Sequence, residues 1–294
     1  MSSPRPFRFG VNLFLAPSRA EWMDKCRRAE ELGYDVLGVA DHLGLPAPFP
    51  AMTLAAEATE RARLTTFVLD VPFYNPVLLA REVATVDRFT GGRVELGLGA
   101  GYVKDEFDAA GIAFESGGKR VEYVEHTAVT LRKLFGDPEY EPRPHRLGGP
   151  PLLIAGWGDR LLSVAARHAE IVAFTGGGPA TPGGPLLLAG AEGLADRVAY
   201  VRAALGDRAG EVEYNLMLQK VAGPQEADAL FEHYRPAYGP DAAANPRDVP
   251  TLLAGSPEAA ADRLRELRER FGISYITVLE DSMEIFAPVL ARLR

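Results

Sequence analysis

Residues 91–102 read GGRVELGLGAGY, with Gly97, Gly99 and Gly101 at alternate positions closing a strand-like run. Alternate glycines bare a stretch of backbone, which suggests a nucleotide or redox cofactor lying against it. The dinucleotide fingerprint G-x-G-x-x-G does not fit, because Tyr102 takes the place of its third glycine. Glu115 is also not at the end of a second strand. A phosphate loop of the form G-x-x-x-x-G-K-[ST] is absent from the sequence. Strand alternation sends Val94, Leu96 and Leu98 to one face and Glu95, Gly97 and Gly99 to the other. In a barrel, the apolar set packs outward on helices, and the glycines leave room inside near the C-terminal mouth. The other reading of these small residues is that they fit a crowded barrel centre.

The rest of the chain repeats the alternation of strand and helix. Strands are expected at 8–13, 35–41, 64–71, 93–99, 150–156, 170–175, 211–219 and 274–280. Helices are expected at 19–32, 52–62, 76–90, 119–135, 159–168, 192–205, 257–271 and at the C-terminus. Pro76 suits a first helical turn, and Gly33 and Gly91-Gly92 suit helix ends. Eight such units predict an α/β fold, a single (β/α)8 barrel over 1–294 with extended loops at the mouth. A doubly wound open sheet is the alternative. Two segments, 175–190 and 220–256, exceed ordinary loop length and are expected as insertions that shape a pocket, whose apolar character hints at a nonpolar substrate.

Composition narrows the partners. The 294 residues are 47% hydrophobic and 24% charged with a net charge of −8, the balance of a soluble globular protein. No Lys/Arg run is interleaved with aromatics, so nucleic acid is not an expected partner. No apolar run approaches the roughly 20 residues of a membrane span, and the start lacks a secretory h-region. A cytoplasmic protein that meets no membrane is expected. The single cysteine, Cys26, lies in a helical pattern and reads as a packed thiol. Histidines 42, 126, 145, 168 and 233 lack the close pairing of a zinc motif, so no metal is expected. G-x-S-x-G is absent from the sequence.

Two local patterns carry chemistry. Asp41 and His42 follow the second strand, and an imidazole there can move a proton near neutrality. Adjacent residues point opposite ways, so Asp41 need not buttress His42. In IAGWGDRLL (154–162) a strand runs through Gly156, Trp157 and Gly158 into a helix begun by Asp159 and Arg160. Free N–H groups, the helix dipole and the Arg160 charge make a phosphate site there. Asp70, at the third strand's mouth end, reads either as a substrate or cofactor contact or as a surface carboxylate.

NPVLLAREVATVDRFTGGRVELGLGAGYVKDEF (75–107) resembles the luciferase-like monooxygenase superfamily: a proline-led helix, an aspartate, [ST]-G-G-R, a strand, G-x-G-x-G and an acidic residue beyond. DHL (41–43), IAGWGDRLLSVAARHAE (154–170) and GSPEAAADRLRELRERFGISYITVL (255–279) also match it. The resemblance implies a TIM barrel binding FMN or the deazaflavin coenzyme F420, and it is closest to the F420-dependent oxidoreductase branch. It implies that Asp41 and His42 lie beside the reactive ring, and that a non-proline cis peptide at Phe67–Val68 bulges behind it. Gly99, Ala100 and Gly101 would line the cofactor, and Asp70 and Thr175 the substrate. Lys104, Lys119, Arg120 and Lys220 are the cations nearest an acidic cofactor tail. Tyr102 stands where sugar-phosphate dehydrogenases of this branch carry a glutamate, and Leu43-Gly44-Leu45 where they carry a tryptophan, so that substrate is not expected. The leading expectation is hydride transfer with an organic small molecule, His42 or Tyr102 managing the proton. The alternatives are an FMN monooxygenase served by a separate reductase and a non-catalytic flavin-binding barrel. Relatives usually pair, so a homodimer is expected.

Overall fold

The computed structural model describes residues 5–14, 17–179 and 186–294. Eight parallel strands close into a barrel: β1 (Arg8–Leu13), β2 (Val36–Val39), β3 (Arg63–Thr66, resumed at Leu69–Asp70), β4 (Val94–Gly99), β5 (Leu152–Gly156), β6 (Ile171–Phe174), β7 (Glu213–Leu218) and β8 (Ile273–Leu279). Each strand pairs with the next, and β8 returns to β1 with Arg8 opposite Tyr275. That closure removes the open-sheet alternative and leaves no free edge.

Helices follow the strands around the outside: α1 (Arg19–Glu31), α2 (Pro48–Ala58), α3 (Pro76–Phe89), α4 (Lys104–Ala110), α5 (Gly117–Phe135), α6 (Asp159–His168) and α7 (Ala191–Leu205). Beyond β7 come α8 (Ala227–Tyr234), α9 (Pro240–Ala244), α10 (Pro257–Phe271) and α11 (Met283–Leu290). Val94, Leu96 and Leu98 join the main core between strands and helices, as alternation predicts. A smaller cluster fills the barrel itself, with Val36, Phe67, Leu153, Ala155, Ile171, Ala173 and Tyr275. The 220–256 segment is ordered by a parallel pair, Lys220–Ala222 with Leu252–Ala254, and by α8 and α9. In the other long segment Gly177–Pro179 pairs with Leu186–Leu188, and residues 180–185 lie outside the described residues.

At Gly97 and Gly99 the glycine run answers to the crowded-centre reading. A Cβ on Gly97 would lie 1.9 Å from the Thr66 carbonyl oxygen, and one on Gly99 would lie 2.6 Å from Val68 Cγ2. The room left by these glycines is therefore taken by β3, which breaks at Phe67–Val68 and presses Val68 against β4. The Phe67–Val68 peptide is cis, as the resemblance implies. Gly101 has φ +67°, a left-handed conformation that favours glycine, and its missing Cβ makes way for Phe107.

The Thr90-Gly91-Gly92-Arg93 turn is structural and lies at the opposite end from the mouth. Arg93 donates to the carbonyls of Ala56, Thr59, Ala62 and Thr90, closing the C-terminal end of α2. This explains why α2 spans Pro48–Ala58 and not 52–62: the chain is turned at Thr59 by an arginine from another element. Replacing Arg93 by alanine is expected to cost about 2–3 kcal/mol, because charge-assisted bonds to several carbonyls are lost together. Urea unfolding of the variant measures it. Below the glycines, Glu95 is buried and accepts from Arg8 at 2.8 Å and Arg63 at 2.6 Å, with Glu213 also paired to Arg8. The polar inward residue of β4 thus belongs to an ion cluster at the barrel floor.

Candidate active site

His42 leaves the end of β2 and meets a helix that the sequence reading treated as plain connection. Chain geometry after Gly101 starts α4 at Lys104, placing Glu106 in its first turn. His42 Nδ1 lies 2.9 Å from Glu106 Oε1. With Glu106 ionised, Nδ1 carries the hydrogen and donates it, which leaves the Nε2 lone pair free. The Tyr102 ring stands edge-on to the imidazole, centroids 5.8 Å apart, and is 55% exposed. Burial of its hydroxyl, with the Asp70 and Glu106 charges, raises the Tyr102 pKa, so the phenol stays protonated.

Asp41 turns the other way, as alternation requires. Its Oδ2 accepts the Asp70 backbone N–H at 3.0 Å, and its carboxylate also takes the Tyr74 hydroxyl. Asp70 is not a surface carboxylate: it is 4% exposed, and its Oδ2 has no protein partner. Burial first, then the Asp41 and Glu106 charges, raise its pKa to about 7, against the pull of His42 and Arg120. An unfolded aspartate titrates near 3.9. Between about pH 4 and 7 the native chain therefore keeps a proton that the unfolded chain has released. The stability this carries is complete below about pH 4 and is lost as pH rises through about 7. Asp70→Asn is expected to flatten that slope and to stabilise the protein by a few kcal/mol at pH 8. Urea titrations at pH 5 and pH 8 check it; equal midpoint shifts at both would contradict it.

At the same end of the barrel, α6 begins at Gly158, which offers no side-chain cap. Ser18, Asn75, Ser116 and Ser256 cap α1, α3, α5 and α10 with a side chain bonded to a backbone N–H, whereas α6 shares the lack of one with α2, α4 and α7. The first turn of α6 thus presents free N–H groups, with Asp159 drawn aside to Arg197 and Arg160 exposed beside Gly118 at the start of α5. Gly156 closes β5, and Trp157 packs beside Gly178 of the insertion. Thr175 spends its hydroxyl on the Gly177 carbonyl at 2.9 Å, within its own turn.

The four cations expected near a cofactor tail divide into two groups. Lys104 pairs with Asp108, Lys119 with Glu115 and Lys220 with Asp281, all solvated surface pairs. Arg120 is different: it donates to the carbonyls of Ala100 and Glu115 and lies 4.0 Å over the Phe114 ring, holding the loop that follows β4.

Sequence reasoning passed over three residues at this end. Glu106 entered it only as the acidic residue that ends a motif; pairing it with His42 requires two elements 64 positions apart. Asn12, a polar residue in an apolar strand, is buried and donates to the Phe67 carbonyl at 3.1 Å, fixing the break in β3. A polar residue on the same face of β1 as Arg8 and Gly10, opposite Phe9, Val11 and Leu13, was the available signal. Tyr74 carried no signal, since its role depends on Asp41. His42, Asp70 and Glu106 also each place an atom within 4.8 Å of the others, a grouping that no sequence spacing reveals. Among the described residues no helix is long and apolar enough to cross a membrane.

Known proteins share this architecture and parts of this sequence. Monooxygenase RslO1 from Streptomyces bottropensis superposes with TM-score 0.73 at 21% identity, over 97% of this chain and 99% of that one. An F420-dependent secondary alcohol dehydrogenase, solved with an F420–acetone adduct, gives TM-score 0.73 at 18% identity, over 99% and 100% of the two chains. By sequence, 4-hydroxyprotoasukamycin monooxygenase of Streptomyces nodosus subsp. asukaensis is 30% identical over 165 residues, 50% of this chain and 42% of that protein. F420-dependent glucose-6-phosphate dehydrogenase of Amycolatopsis mediterranei is 33% identical over 117 residues, 37% of this chain and 35% of that protein. These alignments span less than half of the relatives' length. The family description that fits the chain, luciferase-like monooxygenase, matches residues 6–274. With the closed barrel and the motifs around β4 and α6, that match places the chain in the luciferase-like monooxygenase family.

Proposed function

We propose that this protein is an F420-dependent oxidoreductase that moves a hydride between the deazaflavin and a small organic substrate at the barrel mouth. The observation that carries the reading is the pairing of two features at one barrel end: an imidazole held by a carboxylate, and an uncapped helix N-terminus with an arginine. The residues present suit the group. A phosphate meets the free N–H groups at Gly158–Arg160 and the Arg160 charge. Phe67, Val68, Asp41, Ala100 and Gly101 would hold the planar ring, and Asn12 Oδ1 is buried without a partner at the break in β3. F420 and FMN both carry a phosphate and a flat ring; an F420-dependent dehydrogenase is among the sequence relatives, and a monooxygenase solved with FMN is among the similar structures.

When bound, the deazaflavin supplies hydride chemistry and leaves the protein positioning and proton movement. His42 takes a proton at Nε2 as the substrate is oxidised, or returns it in the reverse direction, while Glu106 steadies the imidazolium. Tyr102, a neutral phenol at the rim, donates a hydrogen bond to the substrate. Trp157, Thr175, the Gly177–Pro179 and Leu186–Leu188 pair and the 220–256 segment bound the substrate pocket. The active form is a homodimer.

The second reading, an FMN-linked monooxygenase fed by a separate reductase, is favoured by the similarity to 4-hydroxyprotoasukamycin monooxygenase over half of this chain. Anaerobic incubation with oxidised or reduced F420 and panels of alcohols, enones and imines separates the two. Substrate-dependent change in the cofactor's absorbance is expected. Oxygen-dependent product formed only with reduced FMN would overturn the reading in favour of the second.

A further inference from the structure

Behind the mouth, two carboxyl groups present oxygens that nothing in the protein satisfies. Glu106 Oε1 receives His42 Nδ1, but Glu106 Oε2 and Asp70 Oδ2 are both buried without a partner. One atom from each of His42, Asp70 and Glu106 lies within 4.8 Å of the other two. Two ionised carboxylates sealed from water at that range repel, and neither orphan oxygen has a donor. A proton settles them without needing space: His42 Nδ1 already faces Glu106 Oε1, and both orphan oxygens are closed to a water-sized molecule.

We propose that Asp70 is held as a carboxylic acid whose hydrogen is directed at Glu106, completing a hydrogen-bond chain from Asp70 through Glu106 to His42 Nδ1. Asp70 and Glu106 are then positioning residues. A hydrogen on Asp70 aimed at Glu106 would give the two orphan oxygens a shared partner, Glu106 keeps Oε1 for Nδ1, and His42 is fixed in the tautomer that leaves its Nε2 lone pair free. The groups facing Asp70 support the protonated form. Asp41, from the loop after β2, and Glu106, from α4, are like charges, and burial adds to them; His42 and Arg120 of α5 oppose without cancelling them. Above about pH 7 Asp70 ionises, the two carboxylates repel, and the chain opens. The use of Nε2 as a base rests on the redox reading above; the hydrogen-bond chain does not.

The test is an NMR titration of the protein without cofactor, with 13C-labelled carboxyl groups and 15N-labelled histidine. The Asp70 carboxyl is expected to titrate near pH 7. The His42 ring should show hydrogen on Nδ1 in its neutral form, with an inflection of its 15N shifts at the pH where Asp70 ionises. Asp70→Asn, whose amide also donates to Glu106, should keep that tautomer and abolish the inflection. Glu106→Gln should lower the Asp70 midpoint by about one pH unit or more, by removing the neighbouring charge. Wild-type Asp70 titrating below pH 5, a neutral ring carrying its hydrogen on Nε2, or stoichiometric Zn2+ binding that Asp70→Asn abolishes would each overturn the proposal. Because no cofactor is present, failure here leaves the redox reading standing, and failure of F420 binding leaves this result standing.

Discussion

Substituting asparagine for His42 is expected to lower kcat/KM by about 10²–10⁴-fold, the usual contribution of a positioned acid–base group. Asparagine still offers Glu106 an N–H donor but has no group that titrates near neutrality. The side chain is partly exposed and makes one hydrogen bond, so folding stability should change by less than about 1 kcal/mol. F420 affinity should stay within about threefold, since the phosphate contacts assigned to α6 are untouched. Steady-state kinetics beside a cofactor titration separates the effects. A variant with normal kcat/KM would remove His42 from the proton step. A variant that no longer binds cofactor would make it a binding residue.

Alanine at Gly97 is expected to have the largest effect on folding. The added methyl carbon would lie 1.9 Å from the Thr66 carbonyl oxygen and 3.1 Å from Val68 Cγ1, and the first of these is backbone. Neither strand can give way alone, because Thr66 Oγ1 bonds the Gly97 carbonyl at 2.8 Å and the Gly97 N–H returns to Thr66 Oγ1 at 2.9 Å. Overpacking of a rigid site costs about 1–3 kcal/mol, and a backbone clash of this depth should exceed that range. Low soluble yield, or a midpoint of urea unfolding lowered by the equivalent of more than about 3 kcal/mol, is the expected result. A variant as stable as wild type would show that β3 does not occupy the space beside Gly97.

These two positions mark what the amino-acid order revealed and what it withheld. The barrel was legible because each βα unit carries its own local signals: Pro76 at a first turn, Gly33 in the left-handed conformation after α1, and apolar alternation in β4. The mouth location of His42 followed from its place just after a strand. Its partner did not, because Glu106 sits on a short helix without a side-chain cap, and its approach to His42 is set by the closed barrel and not by spacing. The glycines were legible as a demand for space, but which of the two readings applied at Gly97 and Gly99 was not, since a break in a neighbouring strand leaves no trace in the strand it presses on. Asp70 was undecided for a related reason. Its chemistry is set by burial in the closed barrel and by the charges of Asp41, His42, Glu106 and Arg120, which arrive from other elements.

The claim on which the functional reading rests is that the barrel mouth takes F420 in preference to FMN. Titrating the purified protein separately with F420 and FMN, and following cofactor fluorescence, tests it most directly. The reading predicts saturable binding of F420 at about micromolar concentration or below, at least tenfold tighter than FMN, and weakened about tenfold in Arg160→Ala by loss of a charge-assisted phosphate contact. Tighter binding of FMN, or saturable binding of neither, would contradict it.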